Sequence, residues 1–315
     1  MNEAGLTVAV TGAAGFLGRA LAQALVADPA ISRVIAIDRV SGQAEGIEWV
    51  LADIRDPKLE ESLHGVDVVV HLAARVLGDM RLAEAINVGG TANVADCAAR
   101  AGVKRFVHAS SVASYGYGLP DRLLTEDDPI NPLDAFPYSR TKGAAERALD
   151  EVEARHPGFQ IIRLRPSIVL GPNNHELATR MAGRISVRPG RNATASQYVH
   201  SDDVVEAFRL AVHSDATGVF NISPSDVVTY EQMAAIARAR LVTVPIGVAR
   251  AATRLAQRYR PKMGVDPGWV LIAQRPPLVS GEKAERVLGW KPNRSGYETV
   301  EEFVRTIRAT RGGKR

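Results

Sequence analysis

The sequence predicts an α/β fold, a doubly wound parallel sheet with a smaller C-terminal substrate lobe, and three observations predict it. Short, nearly continuous apolar runs alternate with helical patterns through the first half of the chain, as strands do when crossover helices bury both faces of a sheet. The first run, 6–10, leads into Thr11-Gly12-Ala13-Ala14-Gly15-Phe16-Leu17-Gly18 and then into apolar residues at helical spacing, Leu17, Leu21 and Leu25. The second run, 33–37, closes on an acid, Asp38, twenty residues after Gly18. A glycine turn between strand and helix, with an acid at the tip of the next strand, is how such a sheet receives a dinucleotide.

Each element has a physical reason. Gly12 and Gly15 let the backbone pass close to a pyrophosphate, and the helix start at Phe16 and Leu17 offers it free N–H groups and a positive dipole end. Gly18 lets that helix sit close to the strand. Asp38 would accept hydrogen bonds from the adenosine ribose hydroxyls and repel a 2′-phosphate, which favours NAD over NADP. Arg39 pulls the other way, because a guanidinium pairs with such a phosphate. Asp53-Ile54, after a strand at 47–51, is a second strand-end acid within reach of the adenine amine. Further strands are expected at 66–72, 104–109 and 160–164, with helices at 15–27, 57–63, 79–100 and 138–155. After Pro166 the rhythm breaks. A loop at 171–174 precedes helices at 175–184 and 201–213, the latter capped by Ser201, and a strand at 218–222. Helices at 229–240, 246–259, 282–288 and 298–310 finish the chain. The expected division is a nucleotide domain of 1–166 and 196–222, and a substrate lobe of 167–195 and 223–315.

The 315 residues are ample for a buried core. No apolar run approaches a membrane span, and no basic leader or cleavage site is visible at the N-terminus. The only cysteine, Cys97, lies in an alanine-rich helical pattern and reads as a small core residue. These features predict a cytoplasmic protein. The net charge of +4 is modest and the arginines are scattered. The basic stretch from Arg250 to Lys262 reads as a solvated helix face, so neither nucleic acid nor membrane is an expected partner; a small-molecule substrate is. The Gly-Gly-Lys-Arg ending reads as a frayed tail.

The chemistry points to three residues. Tyr138 and Lys142 stand four apart after the helix-breaking Pro137, so both project from one helix face. A phenol with an ordinary pKa of about 10 is a poor base at neutral pH, and a lysine cation close by would lower it. The same cation would hold the nicotinamide ribose. The run Phe106-Val107-His108-Ala109-Ser110-Ser111 puts hydroxyls at the carboxyl end of a strand, where the ligand crevice belongs. By itself Ser111 reads as a turn former; in order with the glycine turn, the acid and the Tyr/Lys pair, it reads as the group that orients a substrate oxygen toward the phenol.

With these residues in place the chain resembles the extended short-chain dehydrogenase/reductases, NAD(P)-dependent epimerases, dehydratases, dehydrogenases and reductases on a Rossmann core. The likeness runs through the glycine turn, Asp38, Asp53-Ile54, His71-Leu-Ala-Ala74, Asn87-Val-Gly-Gly-Thr91, Ser110-Ser111, Tyr138-Ser-Arg-Thr-Lys142 and Arg165-Pro166. It continues in Tyr198-Val-His-Ser-Asp-Asp203 and Leu288-Gly-Trp-Lys-Pro292. The resemblance implies that Leu72, Ala73, Ala74, Arg75 and Asn87 line the cofactor and that Pro166 lies beside the nicotinamide. It also implies that Ser111, rather than Ser110, is the catalytic hydroxyl. The helices at 79–100 and 138–155 are the dimer surface of that family, which makes a homodimer possible.

The departures narrow the choice. The family's sugar-nucleotide dehydratases follow the catalytic hydroxyl with an Asp-Glu pair, but here Val112 and Ala113 follow, and neither moves a proton. The UDP-sugar epimerases commonly place a diphosphate-binding arginine where this chain has Ser196, followed by Gln197, and an asparagine where it has Pro166. Arg184, Arg188 and Arg191 are alternative cations for a diphosphate. His175 and His200 lack partners at metal-ligand spacing, so no metal is expected. The resulting reading is an NAD-dependent oxidoreductase that interconverts a secondary alcohol and a ketone through Ser111, Tyr138 and Lys142. An NAD-retaining sugar or sugar-nucleotide epimerase needs the same residues, and a non-catalytic NAD sensor or scaffold is the alternative of another class.

Overall fold

The computed structural model describes residues 5–76, 80–117, 121–172, 185–259 and 266–312. Its centre is a seven-stranded sheet of β1 (Leu6–Thr11), β2 (Ile31–Asp38), β3 (Ile47–Leu51), β4 (Val68–His71), β5 (Arg105–Ala109), β6 (Gln160–Pro166) and β10 (Gly218–Ile222). The spatial order is β10-β6-β5-β4-β1-β2-β3, with every pairing parallel. The chain therefore runs outward from β1 through β2 to β3, then returns to β4 on the other side of β1. That reversal opens a crevice at the carboxyl ends of β1 and β4.

Helices cover both faces. On one lie α1 (Phe16–Val26) and α5 (Ser201–His213); on the other lie α3 (Thr91–Arg100) and α4 (Pro137–Arg155), preceded in the chain by the short α2 (Met80–Glu84). Leu21, Leu25 and Phe208 pack on Val8, Val10 and Val34 from the first side. Leu59, Leu63, Val94, Leu149 and Val152 pack on Ala9, Ile35, Val69 and Phe106 from the second. Each such side chain taken from water contributes about 1.5–3 kcal/mol, so alternate residues of every central strand serve two cores. Cys97 is buried in the second core and its thiol is pushed up by that burial.

Several elements differ from the sequence expectation. The helix expected at 57–63 is a 3₁₀ turn, and the one expected at 79–100 is broken by a π turn at Ala85–Gly90. Gly90 lies so close over Ile54 that a Cβ there would stand 2.5 Å from its Cδ1. Close approach to Ile54 in the loop after β3, rather than helical propensity, shapes this segment. The cap of α5 is not Ser201 but His200, whose side chain accepts from the Asp202 N–H at 3.2 Å. The segment expected to be one helix at 229–240 is α6 (Tyr230–Ile236) followed by a strand, β11 (Arg240–Val244). β11 pairs with β8 (Ile185–Pro189), and β7 (Ile168–Leu170) pairs with β9 (Tyr198–His200). β8 and β11 are mostly exposed or half-buried, so they lack the continuous apolar runs of the main sheet. The remaining helices are α7 (Ile246–Tyr259), α8 (Gly268–Gln274), α9 (Glu282–Leu288) and α10 (Gly296–Gly312). The helix expected at 175–184, with His175 and Arg184, lies outside the described residues, as does the tail at 313–315.

Two distant motifs meet in the fold. Trp290, wholly buried, donates its indole N–H to the Asp203 carbonyl at 2.8 Å. The Asp203 carboxylate accepts from Asn293 N and Nδ2 and from Arg294 N. The segments Tyr198–Asp203 and Leu288–Pro292 are thus a structural clasp joining α5 to the loop after α9. No helix among the described residues is long and apolar enough to cross a membrane.

Candidate active site

The expected ligand residues gather at the carboxyl ends of six parallel strands. After β1, Gly12 turns with φ of +73°, and a Cβ there would meet the Ala73 backbone nitrogen at 2.6 Å. Only glycine fits where the ends of β1 and β4 touch. A Cβ on Gly18 would stand 2.2 Å from the Gly12 carbonyl, so this residue seats α1 on the turn. Gly15, exposed and extended, is the N-cap of α1 and provides no side-chain cap. The first N–H groups of α1 are therefore left for an anion, as a pyrophosphate requires. The Phe16 ring lies over Gly171 at the start of the lobe.

At the tip of β2, Asp38 accepts from Ala14 N at 3.0 Å and from Arg39 N at 2.7 Å. The carboxylate thus ties the acid to the glycine turn and keeps lone pairs for further donors. The Arg39 residue is exposed. Asp53 is gripped by Arg55, whose Nε donates at 2.9 Å and Nη2 at 2.6 Å. That hydrogen bonding holds its carboxyl down at about 2. Ile54 is buried beneath Gly90. After β4, Leu72 and Ala73 are half-buried and Ala74 is exposed. Asn87, buried in the π turn, accepts from Arg75 N at 2.7 Å and donates to its carbonyl at 2.9 Å, which fixes the backbone there. Pro166 ends β6 opposite Ile222.

Beneath these residues runs a buried chain of hydrogen bonds absent from the sequence reading. Thr91 Oγ1 donates to the Asn87 carbonyl at 2.7 Å, so it accepts from His71 Nε2 at 3.0 Å, and His71 Nδ1 accepts from Thr11 Oγ1 at 2.7 Å. Burial, reinforced by the charge of Lys142, pushes the His71 imidazole down to about 3, so it is neutral. His108 stacks on it at 5.6 Å and is also held neutral by burial, with neither ring nitrogen hydrogen-bonded.

The two serines after β5 have different tasks. Ser110 donates to the Glu146 carboxylate, which also receives Arg165 Nε at 2.8 Å, and the Arg165 guanidinium lies 4.6 Å over the Tyr115 ring. Ser110 is thereby absorbed in a buried ion pair. Ser111 caps a 3₁₀ turn through Ala113 N at 3.1 Å, and its hydroxyl draws the Tyr138 phenol's pKa down. Pro137 occupies the first turn of α4, where its missing N–H costs nothing. Ser139 fastens that turn to the Ser111 segment by donating to the Ala113 carbonyl at 2.6 Å. Lys142, buried one turn along, donates from Nζ to the Ala109 carbonyl at 2.6 Å, and burial pushes its pKa down to about 8. The expected effect of Lys142 on the phenol is not what this geometry produces. Burial raises the Tyr138 pKa above its ordinary value, and the opposing influence is the Ser111 hydroxyl.

Of the positions considered for a diphosphate, Ser196, Gln197 and Arg188 are otherwise engaged. Ser196 is buried and bridged to Val228 through its backbone, near Tyr198, whose phenol burial pushes up to about 12. Gln197 spans Pro224 and Val279 with its whole amide. Arg188 pairs with Glu231 and Thr243, whereas Arg191 is exposed. Among the described residues, no cluster of His, Cys, Asp and Glu has the makings of a metal site.

Comparison with known proteins fits this geometry. Residues 8–223 match the model of the NAD dependent epimerase/dehydratase family. A UDP-glucose 4-epimerase of Mycolicibacterium smegmatis is 31% identical over 95% of this chain and 97% of its own length. A 4-hydroxy-2-methyl-3-oxo-4-farnesyl-3,4-dihydroquinoline-1-oxide ketoreductase of Stigmatella aurantiaca is 28% identical over 79% of each chain. Among solved structures, MoeE5 in complex with UDP-glucuronic acid and NAD superposes with a TM-score of 0.77 and 25% identity, covering 96% of this chain and 99% of that one. The glycine turn, the strand-end acids and these matches place the chain in the NAD-dependent epimerase/dehydratase family, as an enzyme whose cofactor is NAD.

Proposed function

We propose that this enzyme interconverts a secondary alcohol and a ketone by hydride transfer, with Ser111, Tyr138 and Lys142 handling the oxygen and its proton. The observation that carries the reading is the docking of the first turn of α4 on the Ser111 segment, where Ser139 donates to the Ala113 carbonyl, which brings Tyr138 toward the serine with Lys142 one turn along the same helix. The free N–H groups of α1, the glycine turn, Asp38, Asp53, Ile54, residues 72–75, Asn87 and Pro166 would hold NAD, and Lys142 would bind its ribose. The cofactor, when bound, would supply the hydride acceptor for oxidation as NAD and the hydride donor for reduction as NADH.

Ser111 donates to the substrate oxygen and aims it at the phenol. In the reducing direction Tyr138 gives its proton to the carbonyl oxygen as the new C–H bond forms on the carbonyl carbon. In the oxidising direction the phenolate takes the hydroxyl proton. Because burial keeps the phenol protonated, the oxidising rate should rise with pH. Acid/base help of this type is worth about 10²–10⁴-fold, and the remainder comes from placing the reactants together. The substrate we favour carries no diphosphate, since Ser196, Gln197 and Arg188 are engaged elsewhere.

A second reading, epimerisation in which hydride returns to the opposite face of the ketone, is favoured by the likeness to a UDP-glucose 4-epimerase. Nicotinamide absorbance during turnover separates the two. Stoichiometric NADH supports net oxidation; product with no net NADH supports epimerisation. A panel of alcohols and sugars with neither outcome, or turnover unaffected by Tyr138→Phe, would sink both.

A further inference from the structure

α8 reaches the active site from the C-terminal part of the chain, and its approach is built residue by residue. The Asp266 carboxylate accepts from Gly268 N at 2.7 Å and its carbonyl from Trp269 N at 3.1 Å, which forms a tight turn around Pro267. A Cβ on Gly268 would stand 2.4–2.6 Å from Phe136, so the α8 backbone lies directly on the ring two residues before Tyr138. Trp269 is thereby laid over the tyrosine. Its ring stacks on Tyr138 at 5.8 Å and 22°, and meets Phe136 edge-on at 4.8 Å and 66°. Leu133, Ile272 and Ala113 close the cluster, and Ala113 is the residue whose N–H holds the Ser111 hydroxyl. A buried indole N–H ordinarily finds an acceptor. Here it has no partner, so ring packing on Tyr138 and Phe136 sets the indole's place.

We propose that Trp269 is a positioning residue for Tyr138: the stacked indole fixes the plane of the phenol ring and so the place of its oxygen beside the Ser111 segment. The Asp266-Pro267-Gly268 turn delivers the indole there. The inference rests on the reading that Tyr138 moves the substrate proton. A side chain of two freely turning bonds, half-buried at the crevice, has no hydrogen bond along its ring to fix it; a parallel aromatic face restricts that ring and leaves the oxygen free to react.

The test uses the full chain and the variants Trp269→Ala, Trp269→Phe and Trp269→Leu, each also combined with Tyr138→Phe. Two quantities are read: kcat against KM, and the ionisation midpoint of Tyr138. The midpoint comes from alkaline absorbance titration of each protein minus its Tyr138→Phe counterpart. For Trp269→Ala, kcat should fall about tenfold or more with KM within about twofold, and the midpoint should drop by about one pH unit as the phenol meets water. Trp269→Phe should recover most of both. Should Trp269→Ala melt far below the wild type, Trp269→Leu replaces it on the kcat criterion, because it keeps apolar bulk without a ring face. A folded Trp269→Ala or Trp269→Leu protein with kcat within about twofold of wild type, or Phe and Leu failing alike, overturns the proposal. Wild-type turnover that does not depend on Tyr138 removes the functional reading instead, and the Tyr138 titration still judges the contact.

Discussion

Tyr138 is held above its ordinary range by burial while the Ser111 hydroxyl draws it down. On the proposed reading, losing the phenol oxygen removes the proton path without disturbing the ring that packs on Phe136 and Trp269. Tyr138→Phe should cut kcat to below about a tenth, since such groups supply 10² or more, and calorimetry should find NAD binding nearly unchanged. Lys142→Ala should lose both activity and NAD affinity. It also strands the Ala109 carbonyl, which costs about 1–3 kcal/mol of stability and lowers the melting temperature. Asp38 is the residue expected to discriminate between cofactors. With its carboxylate against the glycine turn, NAD should bind more tightly than NADP by about 1–3 kcal/mol, and Asp38→Asn should shrink that gap. Equal affinities in the wild type would mean that Arg39 dominates.

Between β4 and β5, neighbouring strand ends carry two buried imidazoles with opposite circumstances. His71 is bonded through both nitrogens to Thr11 and Thr91, whereas His108 is bonded through neither. Both are held neutral in the folded chain, His71 at about 3 and His108 well below its usual value. An unfolded histidine titrates near 6.5, so between that pH and the folded value the unfolded chain binds more protons. The stability these groups contribute is complete above pH 6.5 and is lost as pH falls. His71 should cost about 1.4 kcal/mol between pH 7.5 and pH 5.5, read from melting curves, and His108 should add a loss of the same sign. Replacing His108 by Leu should raise the melting temperature at neutral pH and flatten this acid loss, because an unpaired buried polar ring gives way to an apolar one. Replacing His71 by Leu should destabilise, since two threonine hydroxyls lose their partner. If the two variants behave alike, the hydrogen-bond chain is not what sustains this layer.

For the molecule as a whole, ligand stabilisation reports what the closed site accepts. A ligand at a hundred times its dissociation constant adds about 2.7 kcal/mol. NAD should therefore raise the melting temperature clearly, and NADP less. With NAD present, UDP and UDP-sugars should add little more than uncharged alcohols do, because a buried diphosphate requires cationic partners. The expected arginine position is Ser196, buried on Tyr198, and Arg188 faces Glu231. Marked stabilisation by UDP would transfer the substrate assignment to nucleotide sugars and strengthen the epimerase reading. Ser196→Arg is a stringent companion: it should not create UDP affinity, since that side chain is buried between β9 and Val228.

The order of strands and helices, the glycine turn and the family were legible in the chain because their causes are local. A positive-φ glycine, an acid at a strand tip and a Tyr/Lys pair one turn apart each announce themselves within a few residues. The same locality explains what was missed. β8 and β11 pair through residues as remote as Ile185 and Arg240 and carry no continuous apolar run. Ser110 and Ser111 are alike as neighbours; they part only when the first donates to Glu146, itself paired with Arg165, and the second accepts from Ala113 N. Spacing placed Lys142 beside the phenol, yet burial and the Ala109 carbonyl decided where its ammonium points and in which direction the tyrosine titrates. Trp269 carried no signal at all, because its meaning is its contact with a ring more than a hundred residues earlier. Conformational preference is written residue by residue, whereas desolvation and charge depend on everything packed around a group, and only the folded chain decides them.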